Sequence, residues 1–147
     1  MAKDLTPYST GSRLNMGTID DTYTVLQSDS SKVFMLDDNS AGTVYTITLP
    51  VAAALEEGWY CKFVVRAANP AGDIEIAGGS AIVDITMLDS STGTDNTQHS
   101  NSTAGTAKTT VVLHTECTQG DYVNVFTDGS TYYVEAMSSI NDAIDHT

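Results

Sequence analysis

Residues 120–136, GDYVNVFTDGSTYYVEA, constrain this chain more than any other stretch. Two runs of β-favouring residues flank Asp128-Gly129. An Asp-Gly pair between alternating runs signals a hairpin, because a type I′ turn needs φ > 0 at both central residues. With those two residues as the loop, Thr127 faces Ser130, Val125 faces Tyr132 and Val123 faces Val134. Val123, Val125, Tyr132, Val134 and Ala136 then share a core face. Tyr122, Asn124, Phe126, Thr131, Tyr133 and Glu135 share the other. Aromatics grouped on a second face mark a contact, since large exposed apolar patches usually do. Tyr122, Phe126 and Tyr133 are therefore candidate contact residues.

The rest of the chain carries the same β signature. Residues 43–49, TVYTITL, place Tyr45, Ile47 and Leu49 on one inward stripe of period two, and Pro50 ends the run. Residues 59–66, WYCKFVVR, put Trp59, Cys61, Phe63 and Val65 inward and Tyr60, Lys62, Val64 and Arg66 outward. Residues 73–77 alternate Ile74 and Ile76 with Asp73 and Glu75, and Gly78-Gly79-Ser80 predicts a turn. Shorter runs at 21–27, 32–36, 81–88 and 108–115 complete about nine strands. Residues 51–57, VAAALEE, are the best helix candidate, about two turns long and stopped by Gly58.

These signals predict an all-β fold: a small antiparallel β-sandwich or barrel with one short helix and an extended N-terminal arm. The 147 residues suit one domain. The arm covers 1–20, the β-domain 21–137 and a short polar tail 138–147. Residues 89–107 hold no large apolar side chain and read as a long polar loop. In the arm, Tyr8, Arg13, Leu14 and Met16 are the side chains that could order on a neighbouring subunit.

Charge and motif content narrow the function. Six Lys and Arg stand against nineteen Asp and Glu, for a net charge of −13. That argues against sequence-independent nucleic-acid binding and against anionic membrane surfaces. No run approaches the roughly 20 apolar residues of a membrane span, and the first residues lack a signal-peptide core. Synthesis in a cytoplasm follows as the expectation, with Cys61 and Cys117 as buried free thiols. His99, His114 and His146 show no paired ligand spacing, so no metal is expected. No nucleophile, phosphate loop or cofactor motif stands out, so neither an enzyme nor a cofactor is expected. Trp59, on the inner face, reads as core rather than as a carbohydrate platform.

Two segments resemble bacteriophage structural proteins. Residues 24–65, TVLQSDSSKVFMLDDNSAGTVYTITLPVAAALEEGWYCKFVV, look like the strand, D-S-S-K, short apolar strand, I-T-L-P, small helix, Gly, strand pattern of phage head decoration (cement) proteins and some tail-fibre modules. Residues 120–136 resemble their terminal Asp-Gly hairpin. Together the two segments cover about sixty residues. The long loop at 89–107 departs from the compact pattern. The resemblance implies a β-rich virion protein, a homotrimer, made in a host cytoplasm and bound to the major capsid protein on the capsid exterior. It carries no catalytic residues. The alternative within the same resemblance is a tail-fibre or baseplate module that binds host-surface glycans.

Overall fold

A computed structural model describes residues 15–39, 41–66, 70–89, 108–140 and 142–147. Among the described residues ten strands are formed: β1 Asn15–Ile19, β2 Tyr23–Thr24, β3 Lys32–Leu36, β4 Tyr45–Leu49, β5 Tyr60–Val65, β6 Ile74–Asp89, β7 Lys108–Leu113, β8 Tyr122–Thr127, β9 Tyr132–Ser138 and β10 Ile144–His146. They make an all-β sandwich of two five-stranded sheets. The first runs β1-β3-β5-β8-β9, and the second β2-β4-β6-β7-β10.

The sheets are joined by β6. Its first part, from Ile74, lies between β4 and β7, while Ile82–Asp89 pairs with β9 of the first sheet. The changeover falls at Gly78-Gly79-Ser80, where the register against β7 shifts between Ala77 and Ile82. The expected turn is instead a bend in a strand that continues. Glycines permit such a corner because no side chain opposes the change of direction.

The sheets are mixed rather than antiparallel. From β1 to β6 the chain winds alternately between them, so that β1, β3 and β5 pair in parallel in one sheet and β2, β4 and β6 in the other. Parallel neighbours need a long crossover, usually a helix. Here a strand of the facing sheet supplies it and covers the apolar face at the same time. Alternation of side chains is the same in either strand direction, so it could not distinguish the two. Among the described residues the antiparallel pairs are confined to β5-β8-β9 and β6-β7-β10.

The winding stacks the core in rows. Phe34, Phe63, Val123 and Ala136 align across β3, β5, β8 and β9. Tyr45, Ile74, Leu113 and Ile144 align across the facing sheet, beside Ile47, Ile76 and Val111. All are buried. The Phe34 and Phe63 rings stack at 5.4 Å, and Trp59 meets Tyr132 edge-on at 6.2 Å. Trp59 is thus core, its indole N–H donating to the Gln27 carbonyl at 3.1 Å. Burying each such side chain is worth about 1.5–3 kcal/mol.

Three terminal and local expectations change. Residues 51–57 form one 3₁₀ turn at Ala52–Ala54, not a two-turn helix. Seven residues cannot repay helix nucleation, and Ala52 and Leu55 are instead drawn into the core. Asn15–Ile19, expected in the arm, is β1, paired with β3. The polar tail contributes β10, because Ala143 and Ile144 are buried against β7. Residues 90–107 of the expected loop lie outside the described residues, and Asp89 ends β6.

Candidate interaction surface

The hairpin forms, with a longer loop than the Asp-Gly pair predicts. Val125 opposes Val134 and Phe126 opposes Tyr133, so residues 128–131 make the turn. Only Gly129 there has positive φ, at 88°. Asp128 explains the change. Its Oδ1 accepts from the Ser130 N–H at 2.8 Å, the Thr131 N–H at 2.9 Å and the Ser130 hydroxyl at 2.8 Å. These donors hold the carboxyl well below the usual carboxylate range. The register moves by two residues. Because the side-chain period is two, every residue of the paired strands keeps its predicted face. Val123, Val125, Tyr132, Val134 and Ala136 are buried, and Tyr122, Phe126 and Tyr133 are half-buried on the outside.

The pairing registers extend that outer face over the whole first sheet. One row runs Met16, Val33, Lys62, Asn124 and Glu135 across β1, β3, β5, β8 and β9. The next runs Thr18, Met35, Val64, Tyr122 and Met137. A third holds Tyr60, Phe126 and Tyr133. Met16 is 55% exposed, Tyr60 44% and Met137 43%. The rings of Phe126 and Tyr133 stack at 5.6 Å. The Tyr133 hydroxyl donates to Asp128 Oδ2 at 2.9 Å, which raises the phenol's pKa. Lys62 Nζ sits 3.8 Å from the centroid of Tyr122, a cation–π contact. An open groove of about 440 Å³ lies over Gly58, Tyr60, Asn124, Phe126 and Glu135.

The outer face of the second sheet has the opposite character. Thr24, Thr48, Ala77 and Thr110 form one row, and Thr46, Glu75, Val112 and Asp145 the next. Thr46 Oγ1 donates to Glu75 at 3.2 Å. One sheet therefore shows water mostly threonine and carboxylate, while the other shows it aromatic rings, methionine and valine on either side of a polar stretch of Lys62, Asn124 and Glu135.

Of the predicted contact residues, Met16, Tyr122, Phe126 and Tyr133 come together on this face. Tyr8, Arg13 and Leu14 lie outside the described residues. Tyr60, Val33, Met35, Val64 and Met137 belong to the same surface and were not singled out by sequence. The signal for Tyr60 and Val64 was present in the alternation of 59–66. What was missing was which strands lie side by side.

Elsewhere the polar groups act as pins. Buried Asp29 accepts from Lys32 Nζ at 2.8 Å and from the Leu26 N–H at 2.9 Å. Burial alone would raise its pKa, but these donors more than offset that and hold it low. Buried Asp121 accepts from the Thr118 and Ser139 amides at 2.8 and 2.9 Å, closing the 114–121 loop onto the end of β9. Cys61 and Cys117 are free and buried, and desolvation pushes both thiols up to about 12. His114 Nδ1 lies 3.2 Å from Asp73. No family model, curated protein or solved structure matches the chain.

Proposed function

We propose that the protein is a structural, non-catalytic assembly subunit, a bacteriophage head decoration protein that binds the major capsid protein from outside and stabilises the lattice. One observation carries the assembly part of this reading: the first sheet's outer face is largely apolar, with its aromatic rings on β5, β8 and β9 and a polar stretch at Lys62, Asn124 and Glu135, while the second sheet's is threonine-rich and acidic. A domain that needed only to be soluble would leave both faces polar. The net charge of −13 supports a protein that stays dispersed until it docks. The virion setting comes from the resemblance of 24–65 and 120–136 to decoration proteins, and the homotrimer belongs to it. Multivalent docking would multiply weak individual contacts through effective concentration.

The test is to add purified protein to heads that lack it. Saturable density on the head exterior, with raised resistance to heat, is the expected outcome. Heads that remain bare at saturating protein, with unchanged stability, exclude the proposal.

The groove favours a second reading as a tail-fibre or baseplate glycan-binding module. Tyr60 and Phe126 offer ring faces, and Asn124 and Glu135 offer polar edges, as a sugar would require. Glycan-array binding by the wild type that Tyr60→Ala abolishes would select this reading over the first.

A further inference from the structure

We infer that the outer face of the first sheet is a two-fold interface with a second copy of this chain, its axis running along β8. This face is complementary to itself. β5, β8 and β9 present a three-by-three array of outward side chains centred on Asn124. Its middle row is Lys62, Asn124, Glu135. Neighbouring strands lie ~4.8 Å apart, so the lysine and the glutamate stand equally far from the central strand, one on each side.

A two-fold axis laid along β8, between two sheets packed face to face, exchanges the β5 and β9 positions. Lys62 of one copy then faces Glu135 of the other, and the second such pair forms by symmetry. Asn124 faces Asn124 on the axis. The outer rows match under the same operation. Tyr60 comes opposite Tyr133, and Phe126 opposite Phe126. Val64 comes opposite Met137, and Tyr122 opposite Tyr122. Every charge meets its opposite and every apolar group an apolar group.

Two further observations favour a second copy over a different partner. Lys62 lies over Tyr122, and among the described residues neither it nor Glu135 joins an ion pair. The array is also electrically neutral on a chain of net charge −13. This makes it a region where two such acidic molecules can approach with little repulsion. A three-fold ring requires two different complementary patches, whereas a patch complementary to itself makes a closed pair. The three strands and three rows of the array span about 14 by 17 Å, below the size of a standard specific interface, so weak association, no tighter than the micromolar range, is expected.

The inference rests on reading this face as a protein contact and sets a two-fold pair in place of the homotrimer that the resemblance implies, but it fails separately from the decoration proposal. Light scattering after size exclusion, at tens of micromolar protein, should give twice the 15.6 kDa chain mass. Lys62→Glu should weaken association roughly 100-fold by placing like charges opposite each other. Glu135→Lys should do the same, and the double swap should restore the dimer. As a measurement independent of affinity, Asn124→Cys should cross-link to itself with a bismaleimide matched to the ~10 Å separation of packed sheets. Thr48→Cys, on the outer face of the second sheet, should not. A wild-type mass of one or three copies overturns the inference, as does a charge swap that fails to restore association. A monomer that still coats heads would leave the decoration proposal standing and remove this one.

Discussion

Asp128 shows how one side chain can reset a turn. Its carboxylate gathers two amides and a hydroxyl on Oδ1, and the Tyr133 hydroxyl on Oδ2. All four bonds favour the charged form, so the folded-state pKa lies below the unfolded value of about 3.9. Between those values the unfolded chain binds more protons, so stability rises with pH. The contribution is complete above the unfolded pKa and is lost as pH falls through the folded one. Thermal unfolding from about pH 6 down to about pH 2 should therefore show a steeper acid loss in the wild type than in Asp128→Ala. Equal slopes would mean the turn does not depend on the charge. Asp29 is the buried counterpart. Asp29→Ala strands the Leu26 N–H and leaves Lys32 without its carboxylate. Lys32 is 21% exposed, so water compensates part of the loss. We expect a cost of about 2 kcal/mol in urea denaturation followed by Trp59 fluorescence.

At the scale of elements, close approach decides what the glycines do. A Cβ on Gly72 would lie 2.5 Å from the Thr43 carbonyl carbon and 2.8 Å from the Val44 nitrogen. Both are backbone atoms just before β4, and the contact sets the chain leading into the β4–β6 register. Gly72→Ala should cost about 1–3 kcal/mol in chemical denaturation. Gly79→Ala, at the β6 bend, meets nothing nearer than a Val51 methyl at 3.8 Å. It should cost less than about 1 kcal/mol, and a larger loss at Gly79 than at Gly72 would contradict this account. The hairpin and the 51–57 segment make the same point about local signals. The Asp-Gly pair was legible as a turn, and its faces survived a register shift because the shift was even. The helix signal of 51–57 did not survive, since its apolar residues gain more from the core than from a short helix.

At the scale of the molecule, the winding path controls assembly. Asn15 pairs with Lys32 and Lys32 with Cys61, while Ile47 pairs with Ile76 and Ile82 with Tyr132. Among these pairs only the first spans fewer than twenty residues. Loop closure must be completed before such contacts contribute, so refolding should take milliseconds to seconds rather than microseconds. Stopped-flow Trp59 fluorescence would measure it, and a microsecond phase carrying the full amplitude would refute it. The same winding spreads Met16, Tyr60, Tyr122 and Met137 over four strands and delivers them to one surface.

The sequence by itself determined the class of fold, most strands and the side of each strand that is buried. Those follow from a two-residue period and from turn chemistry, which act between near neighbours. Tyr45, Ile47, Leu49, Trp59, Cys61, Phe63 and Val65 all lie where that period puts them. Only the tertiary structure decided the strand order, the parallel pairing of β1 to β6, the passage of β6 between sheets and the recruitment of the tail as β10. Period two is blind to strand direction and to neighbour identity. For the same reason Tyr122, Phe126 and Tyr133 were legible as an outward group, but their union with Met16, Tyr60, Val64 and Met137 was not. That union depends on pairings between residues far apart in the chain, settled by how two sheets can cover one another.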